Sequence, residues 1–192
     1  MSEKDLLVIG IALVITISGL WINIKKSTDK SEKQPDNQQD QGSLRLFRWV
    51  VPIALVVSLL IYFVQGPYLL TEGFLLLVGL LWVGLGLLLR WYAVWQLGQA
   101  FTVQLRVEQD QKLIREGIFK YLRHPSYLGL LLYYLGLGLV MGNAICLSVL
   151  VVLPAWAVLN RIGLEERLLL SHFGETYQRY QAQSWRLLPW VY

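Results

Sequence analysis

The sequence is poor in charged residues and in the side chains that bind metals. Only 16% of its 192 residues are charged, against about a quarter in a typical soluble domain. A single cysteine, Cys146, excludes an internal disulfide, and two histidines offer no plausible zinc site. The residues behind the net charge of +4 are spread over the connections between apolar runs and form no basic stripe. These absences argue against a soluble globular domain, a zinc protein and a nucleic-acid-binding protein.

Long apolar runs take the place of the missing charge. Hydrophobic residues make up 55% of the chain, and the mean hydropathy is +0.48. A bilayer core of about 30 Å needs roughly 20 apolar residues as a helix. We therefore predict an all-α integral membrane protein with about five transmembrane helices, at residues 6–24, 46–64, 69–92, 127–141 and 144–159. The last two form a tight helical hairpin around Gly142 and Asn143, and a cytoplasmic amphipathic segment follows.

The polar segments predict the division of the chain and its orientation. An N-terminal anchor helix (1–24) and a polar linker (25–43) precede two transmembrane helices (44–95) and a C-terminal region (96–192) with the hairpin and tail. With five crossings, all 17 lysines and arginines except Lys4 fall on one side. The positive-inside rule then places the N-terminus outside and the long loop and tail in the cytoplasm. We expect a prokaryotic inner membrane.

Two polar clusters next to the predicted spans are candidates for chemistry. Pro125 suits the first turn of a helix with His124 at its cap, where free N–H groups and the helix dipole favour an anion. The structural alternative is that Arg123 reaches lipid phosphate and His124 only caps the helix. Arg161 and Glu165 are spaced to share one helix face, either as a surface ion pair or as a functional pair.

Two further patterns indicate helix packing. Phe173, Tyr177 and Tyr180 are spaced as one aromatic helix face, which favours packing over chemistry. Gly138 and Gly142 match the pattern of small residues at helix contacts.

The segment 117–129, which contains Arg123-His124-Pro125-Ser126-Tyr127, is followed by the hairpin and then by Arg161, Glu165-Glu166 and an aromatic tail. This set resembles the isoprenylcysteine carboxyl methyltransferase family, within a wider group that includes membrane phospholipid methyltransferases. The resemblance covers residues 96–190 and implies that the C-terminal region binds S-adenosyl-L-methionine on the cytoplasmic side, under the tail. The residues that it implies for the cofactor are Gln104, Gln111, Lys112, Leu113, Ile114, Phe119, His124, Pro125, Ser126, Tyr127 and Glu165.

The resemblance also implies a role for arginine at the methyl acceptor. Arg161 would face the acceptor, with Arg123 as second choice, while Phe119 departs from the tyrosine that is usual in the family. The implied reaction is carboxyl O-methylation of an isoprenylcysteine-like lipophilic substrate. This acceptor would be a prenylated molecule or another lipid, and it would enter the site from among the membrane lipids. A carboxylate acceptor is already ionised and needs no general base.

Two alternatives stay open from the sequence. A phospholipid methyltransferase acting on an amine would benefit from a base such as Glu166 or Glu108. The other alternative is a membrane reductase or a non-catalytic membrane protein. Reductases of the related membrane group have a similar Arg-His-Pro segment and would bind NADPH. No nucleic acid and no metal is expected in any of these.

Overall fold

The structure is a computed structural model that describes residues 2–27, 38–67, 72–98 and 113–189. Within these ranges the chain forms six α-helices, with a 3₁₀ turn before the fourth helix. The elements are α1 (Glu3–Ser27), α2 (Gln38–Gln65), α3 (Glu72–Leu97), the 3₁₀ turn (Gly117–Lys120), α4 (Pro125–Met141), α5 (Ala144–Phe173) and α6 (Glu175–Gln183).

Four of these helices are long and apolar enough to cross a membrane, namely α1, α2, α3 and α5. The apolar helix α4 is shorter, with 17 residues. At 1.5 Å per residue it is about 25 Å long, less than the hydrocarbon core of about 30 Å. The predicted all-α membrane fold is therefore confirmed, with the first arm of the hairpin as its short member.

Several helices continue beyond their predicted spans. α1 runs to Ser27 and α2 begins at Gln38, so both ends of the predicted linker are helical, while residues 28–37 lie outside the described residues. α5 continues to Phe173, well past the predicted end at residue 159. Backbone hydrogen bonding does not require apolar side chains, so a helix can leave the bilayer and carry polar residues onward.

The predicted hairpin between α4 and α5 is confirmed. Gly142 ends α4 in the left-handed conformation, with φ of 62°. Asn143 then caps α5, because its side-chain oxygen accepts hydrogen bonds from the N–H groups of Ile145 (3.0 Å) and Cys146 (3.1 Å). Its side-chain amide donates to the carbonyl of Gly66 at 2.9 Å and so ties the hairpin to the end of α2.

Contacts of α1 with α2 and α3 show which helix ends lie at the same end of the bundle. The Tyr62 hydroxyl, near the end of α2, donates to Asp5 Oδ1 at 3.0 Å, near the start of α1. Farther along, Trp91 Nε1 on α3 donates to Ser18 Oγ at 2.8 Å. The starts of α1 and α5 and the end of α2 thus lie at one end of the bundle, and the polar part of α5 lies at the other.

Glycines bring α3 and α4 into close contact. A Cβ atom on Gly79 would lie 2.8 Å from the carbonyl oxygen of Gly136, and one on Gly86 would lie 2.6 Å from that of Gly129. The contact is reciprocal, since a Cβ on either α4 glycine would meet the carbonyl of its α3 partner at 2.6 Å. These glycines repeat every seven residues along each helix.

The prediction that Gly138 and Gly142 both lie at a helix contact is right for Gly138 and wrong for Gly142. Gly138 does face another helix, since its Cβ would lie 2.8 Å from Cα of Leu147 on α5. Gly142 instead ends α4, where its positive φ is the property that matters.

Candidate functional site

The tail after α6 lies alongside the segment that leads into α4. The N–H of Trp185 donates to the carbonyl of Tyr121 (2.9 Å), and the N–H of Arg123 donates to that of Trp185 (2.8 Å). The N–H of His124 then donates to the carbonyl of Arg186 at 3.2 Å. This short parallel pairing brings the tail against the Arg-His-Pro segment.

The helix α6 holds the tail in place. The aromatic face predicted as one helix is divided, because Gly174 (φ of 51°) ends α5 after Phe173, and Tyr177 and Tyr180 lie on α6. Both tyrosines are buried, as the packing interpretation expected. The Tyr180 hydroxyl donates to the carbonyl of Phe119 at 2.6 Å. Burial raises the pKa of Tyr180 to about 12, which keeps this hydroxyl a donor.

Glu166 is the centre of the polar contacts at this end of the bundle. Its Oε1 accepts from Arg123 Nε at 2.8 Å and lies 3.3 Å from His124 Nε2. Its Oε2 contacts Arg186 Nη2 at 2.7 Å and accepts from Gln181 Nε2 at 3.4 Å. The Glu166 side chain is only 5% exposed. Buried carboxylates are stable when they are paired and hydrogen-bonded in this way.

Arg123 serves as an anchor for the tail. Besides Glu166, its guanidinium binds two residues near the end of α6: Nη1 donates to the carbonyl of Gln181 (3.1 Å), to the carbonyl of Ser184 and to Ser184 Oγ (3.3 Å). The Ser184 hydroxyl in turn donates to the carbonyl of Tyr180 at 2.6 Å. The lipid-phosphate interpretation of Arg123 is therefore wrong, since its guanidinium faces protein groups.

A second group of side chains, which we call the Arg161–Glu165 cluster, lies beside this network and consists of Arg161, Glu165, Tyr127 and His124. Arg161 is buried on α5, one turn before Glu165. The Tyr127 side chain interacts with both of them. The Nδ1 atom of His124 lies 4.0 Å from Glu165 Oε2. That carboxylate oxygen is buried and has no hydrogen-bond partner.

The start of α4 offers fewer free N–H groups than expected. His124 is the N-cap and Pro125 follows it inside the first turn, as predicted. However, the N–H groups of Tyr127 and Leu128 both donate to the His124 carbonyl at 3.1 Å. Since proline has no N–H, the first-turn amide left for an anion is that of Ser126.

Ser126 is itself held by a residue that the sequence analysis did not select. Arg90 Nη1, two turns before the end of α3, donates to the Ser126 carbonyl at 3.1 Å and to Ser126 Oγ at 3.3 Å. Arg90 is buried, and its Nε has no hydrogen-bond partner. Its position within an apolar run was the available signal, because a charge inside a membrane helix is costly and functional as a rule.

The remaining predicted cofactor residues have less defined surroundings. Gln104, Gln111 and Lys112 lie outside the described residues. Leu113 and Ile114 are half-buried in the irregular stretch before the 3₁₀ turn, and Phe119 is buried within that turn. Their contacts with a cofactor stay predictions. Among the described residues, no group of three or more His, Cys, Asp or Glu side chains could hold a metal ion.

Comparison with known proteins decides the family. The sequence profile of the isoprenylcysteine carboxyl methyltransferase family matches residues 77–171. Protein-S-isoprenylcysteine O-methyltransferase B of Arabidopsis thaliana is 31% identical over 144 residues, which cover 72% of this chain and 73% of that protein. The chain belongs to the isoprenylcysteine carboxyl methyltransferase family. This membership and the long apolar helices make it a multi-pass integral membrane protein.

Other relatives differ in how much of them the chain matches. The protein-S-isoprenylcysteine O-methyltransferase of Schizosaccharomyces pombe is 37% identical over 102 residues, or 52% of this chain, which spans only 43% of that enzyme. The solved structure of the eukaryotic intramembrane Ras methyltransferase of this family matches 100% of this chain and 69% of its own, with a TM-score of 0.70 and 22% identity. That likeness supports the fold.

Proposed function

We propose that the protein is a membrane-embedded, S-adenosyl-L-methionine-dependent methyltransferase that methylates the carboxylate of an isoprenylcysteine-like lipophilic acceptor. The observation that carries the proposal is the buried, unpartnered Oε2 of Glu165, one helical turn from the buried Arg161. The Glu165 carboxylate, suited to a cationic ligand group, and the Arg161 guanidinium, suited to an anionic one, thus lie one helical turn apart. The methyltransferase names of the relatives support the same activity.

The residues present fit the proposed cofactor. S-Adenosyl-L-methionine carries an ammonium group and, when bound, supplies an activated methyl group. Glu165 is the residue to hold the ammonium, because a buried carboxylate oxygen is costly without a donor. Tyr127 and His124 both lie next to Glu165 and could add polar contacts to the cofactor. The N–H of Ser126 adds a donor for the cofactor carboxylate.

Arg161 is our choice for the group that orients the acceptor. A guanidinium can bind a carboxylate through two parallel hydrogen bonds, and holding two reactants in line is most of the catalysis in such a transfer. Arg123 is the weaker choice, because its guanidinium contacts Glu166 and the tail, whereas Arg161 lies in the cluster with Glu165. Arg161 and Glu165 leave one face of α5 together, which would present acceptor and donor to each other.

The same contacts favour a carboxylate acceptor over a lipid amine. An amine must lose a proton, and Glu166 was the described candidate for a base. Both of its oxygens accept hydrogen bonds from side chains that include Arg123 and Arg186, so its lone pairs are occupied. The other candidate, Glu108, lies outside the described residues. A carboxylate acceptor needs neither.

For the membrane, we propose a prokaryotic inner membrane with the N-terminus outside and the Arg161–Glu165 cluster on the cytoplasmic side. The charge bias of the connecting segments supports this orientation. Fusions of a cytoplasmic fluorescent reporter and a periplasmic phosphatase to the C-terminus test it, and phosphatase activity in the C-terminal fusion would reject it.

Binding by the purified protein tests the cofactor. In detergent, calorimetry should detect S-adenosylhomocysteine and no NADPH. NADPH binding without S-adenosylhomocysteine binding would favour the reductase reading and reject the proposal. With labelled cofactor, N-acetyl-farnesylcysteine should gain the methyl group and phosphatidylethanolamine should not.

Two substitutions separate the proposed roles. Glu165→Gln should abolish binding of S-adenosylhomocysteine, whereas Arg161→Gln should keep that binding and lose turnover. The exposed i,i+4 pair Glu175 and Arg179 provides matched controls, because Glu175→Gln and Arg179→Gln make the same chemical changes on α6 at 85% and 78% exposed side chains. Normal turnover in Arg161→Gln would remove Arg161 from the mechanism.

A further inference from the structure

We propose that Glu166 is a positioning residue that fixes the protonation pattern of His124, with the hydrogen on Nε2 and the Nδ1 lone pair turned towards Glu165. The inference rests on the proposed function only in taking the side of Glu165 as the cofactor side. The ring pattern itself follows from contacts within the chain.

The contacts of Glu166 decide which ring nitrogen carries the hydrogen. An ionised carboxylate can only accept hydrogen bonds, and a guanidinium can only donate them. Arg123 Nε (2.8 Å) and His124 Nε2 (3.3 Å) share Oε1 of Glu166. The ring nitrogen can therefore contribute to this arrangement only as a donor. In histidine, the bond made by one nitrogen sets the state of the other.

The carboxylate of Glu166 is already paired with two cations. Arg123 and Arg186 both contact its carboxylate directly, so the negative charge is balanced without a third cation. A neutral imidazole with hydrogen on Nε2 has an acceptor at Nδ1.

On its other side, the ring faces the unpartnered carboxylate. His124 Nδ1 and Glu165 Oε2 are 4.0 Å apart, which is too long for a hydrogen bond. In the proposed pattern both atoms are acceptors, so they do not bind each other. A ligand group with several N–H hydrogens, such as an ammonium, can donate to both. Glu166 would thereby turn His124 into a second acceptor for the group that Glu165 holds.

Nitrogen NMR of the whole protein in detergent tests the ring pattern without any ligand. The chain has two histidines, and a His172→Gln background at the exposed end of α5 leaves only the His124 signals. In neutral to mildly alkaline buffer we expect a slowly exchanging Nε2 hydrogen and an unprotonated Nδ1. A protonated Nδ1 in this background would overturn the proposal, and this result does not depend on any further variant folding.

Variants at the two glutamates identify the cause. Glu166→Ala should lose the slowly exchanging hydrogen and move both nitrogen shifts towards averaged values. Glu166→Gln should restore the original pattern, because its amide oxygen can still accept from His124, while its NH₂ displaces the more exposed Arg186 (31% exposed). Glu165→Ala is the matched control and should leave the Nε2 hydrogen in place. An unchanged spectrum in Glu166→Ala, or equal loss in Glu165→Ala, would refute the role of Glu166.

Addition of S-adenosylhomocysteine separates this inference from the proposed function. The Nδ1 resonance of His124 should shift on binding while the Nε2 hydrogen is retained. If the protein does not bind this ligand, the proposed function fails while the ring pattern stands. If it binds and Nδ1 does not shift, the ligand-facing role of Nδ1 is wrong and the proposed function survives.

Discussion

Replacing Gly86 by alanine should separate α3 from α4 and destabilise the protein. The added Cβ would lie 2.5 Å from the backbone nitrogen of Tyr133 and 2.6 Å from the carbonyl oxygen of Gly129. Both are backbone atoms, so no side-chain rotation can relieve the overlap and the helices themselves must move. Overpacking of this kind costs about 1–3 kcal/mol, and alanine recovers about 1 kcal/mol of helix propensity. We expect a net loss of up to about 2 kcal/mol in the free energy of unfolding.

Gly84, on the same helix, is the matched control for this prediction. A Cβ there would have no atom within 4 Å, so Gly84→Ala should be neutral or stabilising by up to about 1 kcal/mol. Unfolding of both variants in mixed micelles by increasing sodium dodecyl sulfate measures the two free energies. Because Gly129 lies on the first turns of α4, Gly86→Ala should also weaken binding of S-adenosylhomocysteine. Equal stability of the two variants would refute the account of how α3 and α4 pack.

Three further effects follow from contacts elsewhere. Tyr180→Phe removes the hydrogen bond to the carbonyl of Phe119 and should cost about 1–3 kcal/mol in thermal or chemical unfolding, because the acceptor is left buried. Burial raises the pKa of Tyr180 to about 12. Its contribution to stability should therefore be lost as the pH rises above about 10, where the tyrosine of the unfolded chain ionises. An equally steep loss of stability at alkaline pH in Tyr180→Phe would contradict this. Asn143→Ala removes the cap of α5 and the tie to Gly66 and should cost at least about 1 kcal/mol, with Ser148→Ala, an exposed side chain on the next turn, as a near-neutral comparison.

Features encoded by neighbouring residues were predictable from the sequence. Gly142 and Asn143 predicted the hairpin, because one ends a helix and the other caps the next within two residues. His124 and Pro125 predicted the start of α4 in the same way. The apolar runs predicted the membrane helices, including the short first arm of the hairpin. Local chemistry is sufficient in each of these cases.

Features that depend on distant pairing were not predictable in this way. The tail reaches the Arg-His-Pro segment through backbone bonds between residues 121–124 and 185–186, which carry no side-chain signature. The contact glycines of α3 and α4 are visible as repeats only when both helices are known to face each other. The partners of Glu166 were not predictable either, because Arg123 on one side of it and Arg186 on the other come from distant parts of the sequence.

The division of labour between these two adjacent glutamates follows from helix geometry. Consecutive residues on an α-helix point about 100° apart, so Glu165 and Glu166 point in different directions. Glu166 is 5% exposed and its contacts are all within the chain, whereas Glu165 is 30% exposed and keeps one unpartnered oxygen. The residue with satisfied contacts stabilises the site, and the residue with an open contact can bind a ligand. His124 contacts Glu166 and faces Glu165, so the Arg-His-Pro segment connects the anchored tail to the proposed cofactor position.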